Sequence, residues 1–373
     1  MIMYDTIVVG AGIVGSMMAY QLTQRGFDVL LVDRSKAVAS GGSGAAGAFV
    51  SPKIGKNSPL QQLTNQAYEF AVEFYRQNFP TYFSQTGIIR IPKDDIDATK
   101  FEQYAKSNIK DFEWIDKDAL KNLGIKQTNR SFYFSQAGVC DAQKMCQDVA
   151  SKVEFRQFNV SNLYRDGEVW CLQDSLNQTL KATYIILATG YENTLLDMRY
   201  MGVRGTWGSR GDYYSKLDLR VSMHKSISIS ANIDGIIKLG ATHNKAKEPC
   251  VVCDGKPLKS LELQAKEMID SSDLVLKETF CGMRAGSKDY FPLVGKIVDV
   301  EYMFEHYPNI TRGAKPPIKH HTNIYVLNGV GGRGFVFAPF ISHILAEHIT
   351  NQSPIPPQID PDRLFLKWCR KLI

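Results

Sequence analysis

The sequence predicts an α/β fold in which a domain built on a parallel β-sheet is interleaved with a domain built on an antiparallel β-sheet. Strand–turn–helix units with apolar strands stand near both ends of the chain, at residues 6–33 and 324–349, and such units are typical of parallel sheets. Between them, residues 226–239 alternate apolar and polar side chains around a turn, which indicates an antiparallel hairpin. A length of 373 residues is natural for two domains.

The composition is that of an ordinary globular protein. Hydrophobic residues make up 44% and charged residues 22%, which excludes wholesale disorder. No apolar run approaches the roughly 20 residues that span a bilayer, and the first residues lack the basic region of a signal peptide, so we expect a cytoplasmic protein. The net charge of +6 permits an RNA substrate or an anionic cofactor but requires neither.

The cysteines and histidines do not predict a metal site. Seven cysteines are scattered along the chain, and an odd, scattered set argues against a disulfide framework. Cys250 and Cys253 form one Cys-x-x-Cys pair without a second pair, so we interpret them as reduced thiols. His320 and His321 follow a segment rich in Pro and Lys, and we expect them in a solvated loop.

Local patterns predict the elements around these landmarks. Ser58 and Pro59 have the residue types of an N-cap and a first helical position. Gly26 has the residue type that ends a helix. The expected strands are 6–9, 28–32, 153–160, 169–172, 184–188, 226–230, 236–239 and 324–328, and the expected helices end at Gly26, follow Pro59, and run from about Pro339 to Ile349.

The first strand–turn–helix unit carries a dinucleotide-binding fingerprint. Gly10, Gly12 and Gly15 form a GxGxxG that follows an apolar strand and opens a helix, and Asp33 ends the next strand. The glycines permit a tight turn, close approach of backbone to a pyrophosphate, and close packing of helix on strand, while the acidic residue accepts bonds from ribose hydroxyls. The helix N-terminus adds backbone donors and a positive dipole end. We therefore predict a Rossmann-like domain that binds a dinucleotide.

Three further features favour FAD over NAD. The small residues 39–47 follow Asp33 closely, so backbone can pack against a long cofactor. The strand at 184–188 ends in Thr189-Gly190. A second glycine-rich turn, residues 329–335, precedes a late helix whose dipole suits the negative charge of a reduced flavin.

These motifs resemble the D-amino-acid-oxidase (DAO) superfamily of FAD-dependent amine oxidoreductases, over nearly the whole chain. The resemblance rests on the fingerprint, on segments 203–205, 239–242, 282–284 and 289–295, and on the late glycine-rich turn. It implies a Rossmann-like FAD-binding domain of the glutathione-reductase/DAO type, interleaved with an antiparallel β-sheet substrate domain. The expected bounds are 1–85, 140–200 and 284–373 for the FAD-binding domain, and 86–139 and 201–283 for the substrate domain.

Within the superfamily, segments 39–52, 59–75 and 328–339 are most similar to the oxidoreductase part of MnmC, a bacterial tRNA-modification family. Two departures stand out. Residues 42–46 replace the usual Asn-Arg-Gln, and the fingerprint begins too early to leave room for the methyltransferase domain that MnmC usually carries ahead of it. A separate methyltransferase partner, or a different family member, would account for the second departure.

The resemblance implies the chemistry and the residues that carry it. The superfamily passes a hydride from an amine-bearing carbon to the flavin, and the resulting imine hydrolyses. Arg284 is the candidate that binds the substrate carboxylate, with an ion pair to Asp289 as the alternative role, and Arg333 lies in the flavin-facing turn. Residues expected to hold the cofactor are Gly10, Gly12, Ile13, Val14, Gly15, Asp33, Arg34, Ser40, Gly41, Ala46, Gly47, Val160, Ala188, Thr189, Gly190, Arg284, Gly331, Gly332, Arg333, Gly334 and Phe335.

Three functions remain open from the sequence. The first is oxidative removal of the carboxymethyl group from a carboxymethylaminomethyluridine at the tRNA wobble position. Basic residues near the tail are candidates for RNA contact, and a solvated helix end explains them equally well. The second is oxidation of free glycine, sarcosine or a D-amino acid. The third is a flavin-binding protein without turnover. The basic tail residues are Arg363, Lys367, Arg370 and Lys371.

Overall fold

A computed structural model of the protein describes residues 3–107, 111–192, 194–244 and 255–372. Cys250 and Cys253 lie outside these ranges. Within them, none of the helices combines the length and apolar character needed to cross a bilayer. Cys140, Cys146, Cys171 and Cys369 are buried and do not form disulfides. Cys281 is disulfide-bonded, a cross-link that the cysteine spacing did not predict.

The described chain contains both helices and strands throughout. The strands are β1 Met3–Val9, β2 Val29–Asp33, β3 Phe49–Val50, β4 Phe83–Ser84, β5 Ile88–Arg90, β6 Glu113–Ile115, β7 Ser131–Phe134, β8 Gly138–Cys140, β9 Glu154–Gln157, β10 Asn162–Asp166, β11 Val169–Gln173, β12 Thr179–Leu187, β13 Arg204–Tyr214, β14 Ser222–His224, β15 Ser228–Ile229, β16 Ile236–Gly240, β17 Val275–Gly286, β18 Leu293–Val298 and β19 His320–Asn328. The α-helices are α1 Ile13–Thr23, α2 Pro59–Asn78, α3 Asp95–Ser107, α4 Lys117–Asn122, α5 Ala142–Ser151, α6 Lys256–Lys266, α7 Val300–His306, α8 Gly334–Asn351 and α9 Asp362–Cys369.

The chain divides into two compact, discontinuous units. The first comprises Met1–Ser40, Cys146–Gly205 and Arg284–Ile373, and the second comprises Gly41–Met145 and Thr206–Met283. The FAD-binding domain expected from the sequence includes residues 41–85, which lie in the second compact unit. The chain leaves the first unit twice.

The first unit is built on an eight-stranded sheet whose centre is parallel. Its main path is β10-β11-β12-β1-β2-β9, and β19 pairs with β12 and β18. Strands β9, β2, β1, β12 and β19 run parallel. Ile7, Leu30, Ile185 and Ile324 from four of these strands are fully buried in one core. Near-continuous apolar runs are what strands covered on both faces require, and this explains why the sequence revealed them.

The second unit contains a second eight-stranded sheet and a small three-stranded one. Their orders are β17-β13-β16-β15-β14-β5-β7-β6 and β3-β8-β4. Strands β15 and β16 form the antiparallel hairpin predicted around residues 232–235, with Ile229 opposite Leu239. The pair β14–β5 is parallel, so the predicted antiparallel sheet is mixed at that point.

The predicted start of α2 is confirmed. Pro59 is its first residue, and the Ser58 hydroxyl accepts a hydrogen bond from the Gln61 amide at 3.3 Å. A serine at this position satisfies one of the donors that a helix start leaves unpaired. Helix α1 ends at Thr23, three residues before Gly26, which adopts φ 84° in the turn that follows.

Two predictions near the end of the chain were wrong. The last long helix begins at Gly334 rather than about Pro339, because a 3-10 turn at Gly331–Arg333 leads directly into it. Pro339 lies inside this helix.

His320 and His321 are not in a solvated loop. They begin β19, where His320 Nε2 lies 2.9 Å from the Asp362 carboxylate.

Candidate functional site: the carboxyl edge of the parallel sheet

The turn between β1 and α1 can be made only by glycine. Gly10 has φ 107°, and a Cβ on it would lie 2.9 Å from the carbonyl carbon of Ala188. A Cβ on Gly15 would overlap the carbonyl oxygen of Gly10. Gly12 is the N-cap of α1 and offers no side chain to cap the helix. Backbone alone therefore lines the helix start, which is the arrangement that suits a pyrophosphate.

Asp33 stands at the end of β2 and helps to shape the same turn. Its Oδ2 accepts a hydrogen bond from the Ala11 amide at 2.7 Å, and its Oδ1 accepts from the Ser35 amide at 2.9 Å. A carboxylate has about four acceptor sites, so capacity remains for ribose hydroxyls. The neighbouring Arg34 is exposed and pairs with Glu192 at 2.6 Å, and this bond raises the pKa of Arg34.

The ends of the other parallel strands reach the same edge. Gly190 follows β12 with φ 68°, and its carbonyl oxygen accepts a hydrogen bond from Asn328 Nδ2 at 2.6 Å. Beyond β9, the Phe158 amide donates to the Asp33 carbonyl at 2.7 Å, which brings the segment leading to Val160 beside β2. The carboxyl ends of parallel strands are the usual ligand-binding edge of open α/β sheets.

The second glycine-rich turn lies beside the first. Gly329 and Gly331 have positive φ angles of 77° and 56°, so the turn after β19 also needs glycine. A Cβ on Gly334 would lie 3.2 Å from Cγ2 of Ile13. The N-terminal ends of α1 and α8 are therefore adjacent, with Arg333 as the N-cap of α8 and Phe335 buried in its first turn.

Arg284 joins this edge from the end of β17. Gly286 forms an antiparallel bridge with Val330, and a Cβ on Gly332 would lie 3.4 Å from Arg284 Cδ and 3.6 Å from its Nε. The Arg284 side chain thus lies against the exposed Gly332. Burial lowers the pKa of Arg284, but an arginine remains charged in proteins.

Asp289, the alternative partner considered for Arg284, is bound by a different arginine. Arg363 donates to the Asp289 carboxylate from Nε at 2.9 Å and from Nη2 at 3.0 Å. The Arg363 side chain is only 14% exposed. The prediction that Arg363 is available to touch RNA is therefore wrong, because its charge is committed to a bidentate ion pair inside the first unit.

Four of the residues expected to hold the cofactor lie near the point where the chain passes into the second unit: Ser40, Gly41, Ala46 and Gly47. Ser40 is the last residue of the first unit before Gly41. Within the second unit, a Cβ on Gly282 would lie 2.9 Å from both Ala45 Cβ and Gly42 Cα, so the small residues of this segment let β17 approach closely. The Ala46 carbonyl accepts a hydrogen bond from Arg210, and Gly47 leaves room for the Phe49 ring.

The sequence analysis missed a buried charged cluster in the second unit. Arg210 Nε lies 2.9 Å from Asp212 Oδ1, and Lys238 Nζ donates to the Cys140 carbonyl at 3.3 Å. Burial, then the nearby Arg210 charge, lowers the pKa of Lys238. The available signal was a lysine inside the otherwise apolar strand 236–240, since a buried charge must be paired to be tolerated.

The residues of the first unit fit FAD. At the starts of α1 and α8, glycine residues leave space beside the backbone that a Cβ would fill. The Asp33 carboxylate lies at the end of β2, and the Arg284 side chain lies against the second glycine-rich turn. Among the described residues, no group of three or more His, Cys, Asp or Glu side chains is placed to hold a metal ion.

Comparison with known proteins agrees with this geometry. A bifunctional tRNA 5-methylaminomethyl-2-thiouridine biosynthesis protein MnmC from Methylobacillus flagellatus is 23% identical over 97% of this chain and 59% of its own length. The MnmC protein of Acinetobacter baylyi is 26% identical over 96% of this chain and 56% of its own length. The chain thus spans somewhat more than half the length of these relatives.

The fold is shared with solved flavoenzyme structures. Glycine oxidase from Bacillus cereus superposes with a TM-score of 0.79 at 17% identity, covering 94% of this chain and 96% of that one. The sequence profile of the FAD dependent oxidoreductase family, DAO, matches residues 5–348. The chain therefore belongs to the DAO family of FAD-dependent oxidoreductases.

Proposed function

We propose that the protein is an amine oxidoreductase that removes the carboxymethyl group from 5-carboxymethylaminomethyl(-2-thio)uridine at the tRNA wobble position and releases glyoxylate. The observation that carries the proposal is the position of Arg284 against Gly332. A cation at the second glycine-rich turn suits a substrate whose reacting carbon is bonded to a carboxylate. In this proposal the first unit binds FAD and the second contributes to substrate binding.

The residues have separate tasks. The turn at 10–15 and Asp33 would hold the pyrophosphate and ribose of FAD, and the start of α8 with Arg333 would hold its flavin end. Bound FAD would supply the hydride acceptor for oxidation of the substrate N–CH₂ group to an imine, with loss of the amine proton. Water would then split the C=N bond into a primary amine and glyoxylate. Arg284 binds the carboxylate as a two-pronged donor and so fixes which C–H bond is presented.

The tRNA part of the proposal is supported by the relatives. Two MnmC proteins named for 5-methylaminomethyl-2-thiouridine biosynthesis align with almost all of this chain. Because this chain covers only 59% and 56% of the lengths of these relatives, we do not assign their whole activity to it. The primary amine left on the uridine would be methylated by a methyltransferase, which we propose as a partner in the cytoplasm.

Anaerobic flavin bleaching tests the proposal. The purified yellow protein is mixed with tRNA carrying carboxymethylaminomethyluridine, and parallel samples receive glycine, sarcosine and D-amino acids. We expect the tRNA alone to bleach the flavin, with glyoxylate detected in the product. Bleaching by a free amino acid but not by the tRNA would show instead a small-molecule amine oxidase or dehydrogenase. A flavin that no amine reduces would indicate a binding protein without turnover.

The role of Arg284 is tested with Arg284→Gln and Arg284→Lys. We expect each to lower kcat/KM for the carboxylate substrate by about 100-fold, because a desolvated charge-assisted contact is lost. An analogue in which an amide replaces the carboxylate should show little difference between wild type and variant. FAD content of the variants serves as the control, and equal losses on both substrates would contradict a carboxylate-binding role.

A further inference from the structure

Three basic side chains cluster on the surface of the first unit. A Cβ on Gly202 would lie 3.3 Å from Lys288 Cβ and 3.7 Å from its Cδ, so Lys288 lies over the segment that leads to Arg204. The end of α9 lies beside the same segment, because the rings of Tyr200 and Trp368 are 6.4 Å apart, and Lys371 follows Trp368 by three residues. The nearby ammonium of Lys371, then burial, then the charge of Arg204, lowers the pKa of Lys288. Arg204, Lys288 and Lys371 are all exposed. Residues far apart in the sequence thus place like charges side by side.

This cluster is not neutralised within the described chain. Arg34, Arg199 and Arg220 at the surface each pair with a carboxylate, whereas none of the three clustered residues forms an ion pair in the described ranges. Adjacent like charges repel one another in the free protein. An anionic ligand would remove that repulsion, so the cluster is suited to bind one.

Tyr290 extends the cluster with an exposed aromatic ring. Its side chain is 76% exposed, and its backbone has φ 68°, a conformation that is a genuine outlier for a bulky residue. The turn that carries Tyr290 is stabilised by the Asp289–Arg363 ion pair. It is also stabilised by the Ser287 hydroxyl, which donates a hydrogen bond to the Phe291 carbonyl at 2.6 Å. Strained residues fixed by their surroundings are typical of ligand contacts.

We propose that Arg204, Lys288, Tyr290 and Lys371 form an RNA-docking surface, the 288–371 surface, where the cations contact phosphates and the tyrosine stacks on an unpaired base. The combination of backbone-tracking cations with an exposed aromatic ring is the usual design for single-stranded nucleic acid. The identity of the RNA as tRNA rests on the proposed function. An anticodon loop offers both phosphates and unpaired bases.

The distance to the candidate site is appropriate for a nucleic acid. Lys288 follows Arg284 by four residues, so their Cα atoms are at most about 14 Å apart. Nucleotides that flank a wobble uridine bound at Arg284 can span such a distance. Contacts at the 288–371 surface would therefore select an RNA substrate without touching the reacting carbon.

The test compares Lys288→Glu/Lys371→Glu with Lys259→Glu/Lys266→Glu in the holoenzyme. The control pair lies exposed on α6 and makes the same change in net charge. Binding of unmodified tRNA and of an anticodon stem-loop RNA is measured at several salt concentrations. We expect the first variant to bind about tenfold more weakly and to lose about 1–2 from the slope of log K against log salt. The control should keep most of the affinity and slope.

Tyr290 is tested by Tyr290→Ala and Tyr290→Phe. Loss of one stacked base should weaken stem-loop binding about tenfold in the alanine variant, while phenylalanine, which keeps the ring, should bind like wild type. The same loss in both variants would contradict stacking. Phosphatidylserine vesicles form a further arm: vesicle binding without RNA binding would overturn the proposal.

The outcomes separate this proposal from the proposed function. If the modified tRNA bleaches the flavin but Lys288→Glu/Lys371→Glu binds RNA as tightly as Lys259→Glu/Lys266→Glu does, the docking surface is refuted and the proposed function stands. If RNA binding depends on Lys288 and Lys371 but the modified tRNA does not bleach the flavin, the surface stands and the reaction is refuted. Failure of the wild type to bind any RNA refutes both.

Discussion

At the scale of single residues, the Asp289–Arg363 pair shows how one ion pair supports the turn that carries Lys288 and Tyr290. Burial would raise the pKa of Asp289, but hydrogen bonds from Arg363, from the Phe291 amide and from the Ser287 hydroxyl hold it below its ordinary value. A carboxylate whose pKa is depressed in the folded state stabilises the protein at neutral pH. That contribution is lost as pH falls from about 4 through the folded-state pKa.

Arg363→Met should therefore destabilise the protein in a pH-dependent way. We expect a loss of about 1–2 kcal/mol at pH 7, because a half-buried carboxylate loses two charge-assisted bonds. The difference from wild type should shrink as the pH falls from about 4 through the folded-state pKa of Asp289, because the charge that Arg363 pairs with is lost once Asp289 is protonated. Urea unfolding at a series of pH values measures this.

Arg199→Met is the matched control, because Arg199 pairs with Asp197 but is 73% exposed. An exposed pair contributes about 0–1 kcal/mol, so this variant should stay close to wild type. A constant difference between Arg363→Met and wild type across the whole pH range would show that Arg363 acts by packing rather than by charge.

At the scale of elements, a helix or strand could be predicted from the sequence where the contacts that fix its position are made by residues close together in the chain. The β1–α1 unit was predicted because an apolar strand, glycines at fixed spacing and Asp33 are all within one short segment. The start of α8 was not predicted, because it is set by the 3-10 turn at Gly331–Arg333, and no local pattern marks a helix start there. His320 was misplaced because its partner Asp362 is 42 residues away.

Gly15→Ala tests the element that the sequence predicted best. The added methyl group would overlap the Gly10 carbonyl oxygen, which is backbone and cannot rotate away. We expect the turn to shift and the purified variant to contain little FAD, measured as flavin absorbance per protein. Far-ultraviolet circular dichroism establishes whether the variant is folded.

Gly26→Ala provides the comparison, because Gly26 also has positive φ but a Cβ there meets nothing within 4 Å. It should cost about 1 kcal/mol of stability and retain FAD. If Gly15→Ala bound FAD as well as Gly26→Ala does, the close approach of strand and helix would not be required for the cofactor.

At the scale of the whole molecule, the order of strands and the grouping of distant segments were beyond the sequence. Residues 41–85 belong with the second unit, although their small side chains and family motif favoured the cofactor domain. The contact of Lys238 with the Cys140 carbonyl and the cluster of Lys288 with Lys371 arise from tertiary contacts between segments far apart in the sequence. A lysine within the apolar strand 236–240 indicates that a partner is needed, but the sequence alone does not identify that partner.

The two-unit organisation leads to a prediction for FAD binding and thermal stability. A ligand that binds only the folded state at 100 to 1,000 times its Kd stabilises by about 3–4 kcal/mol. If all 373 residues unfold together, an unfolding entropy of about 2 cal/mol/K per residue converts this to a rise in Tm of about 4–5 °C. If the first unit unfolds alone, a shift about twice as large should appear in one of two transitions. Differential scanning calorimetry of the apoprotein with added FAD distinguishes these two cases. We expect no shift in Tm when NAD replaces FAD, or when FAD is added to Gly15→Ala. An equal shift with NAD would contradict the assignment of this edge of the sheet to FAD.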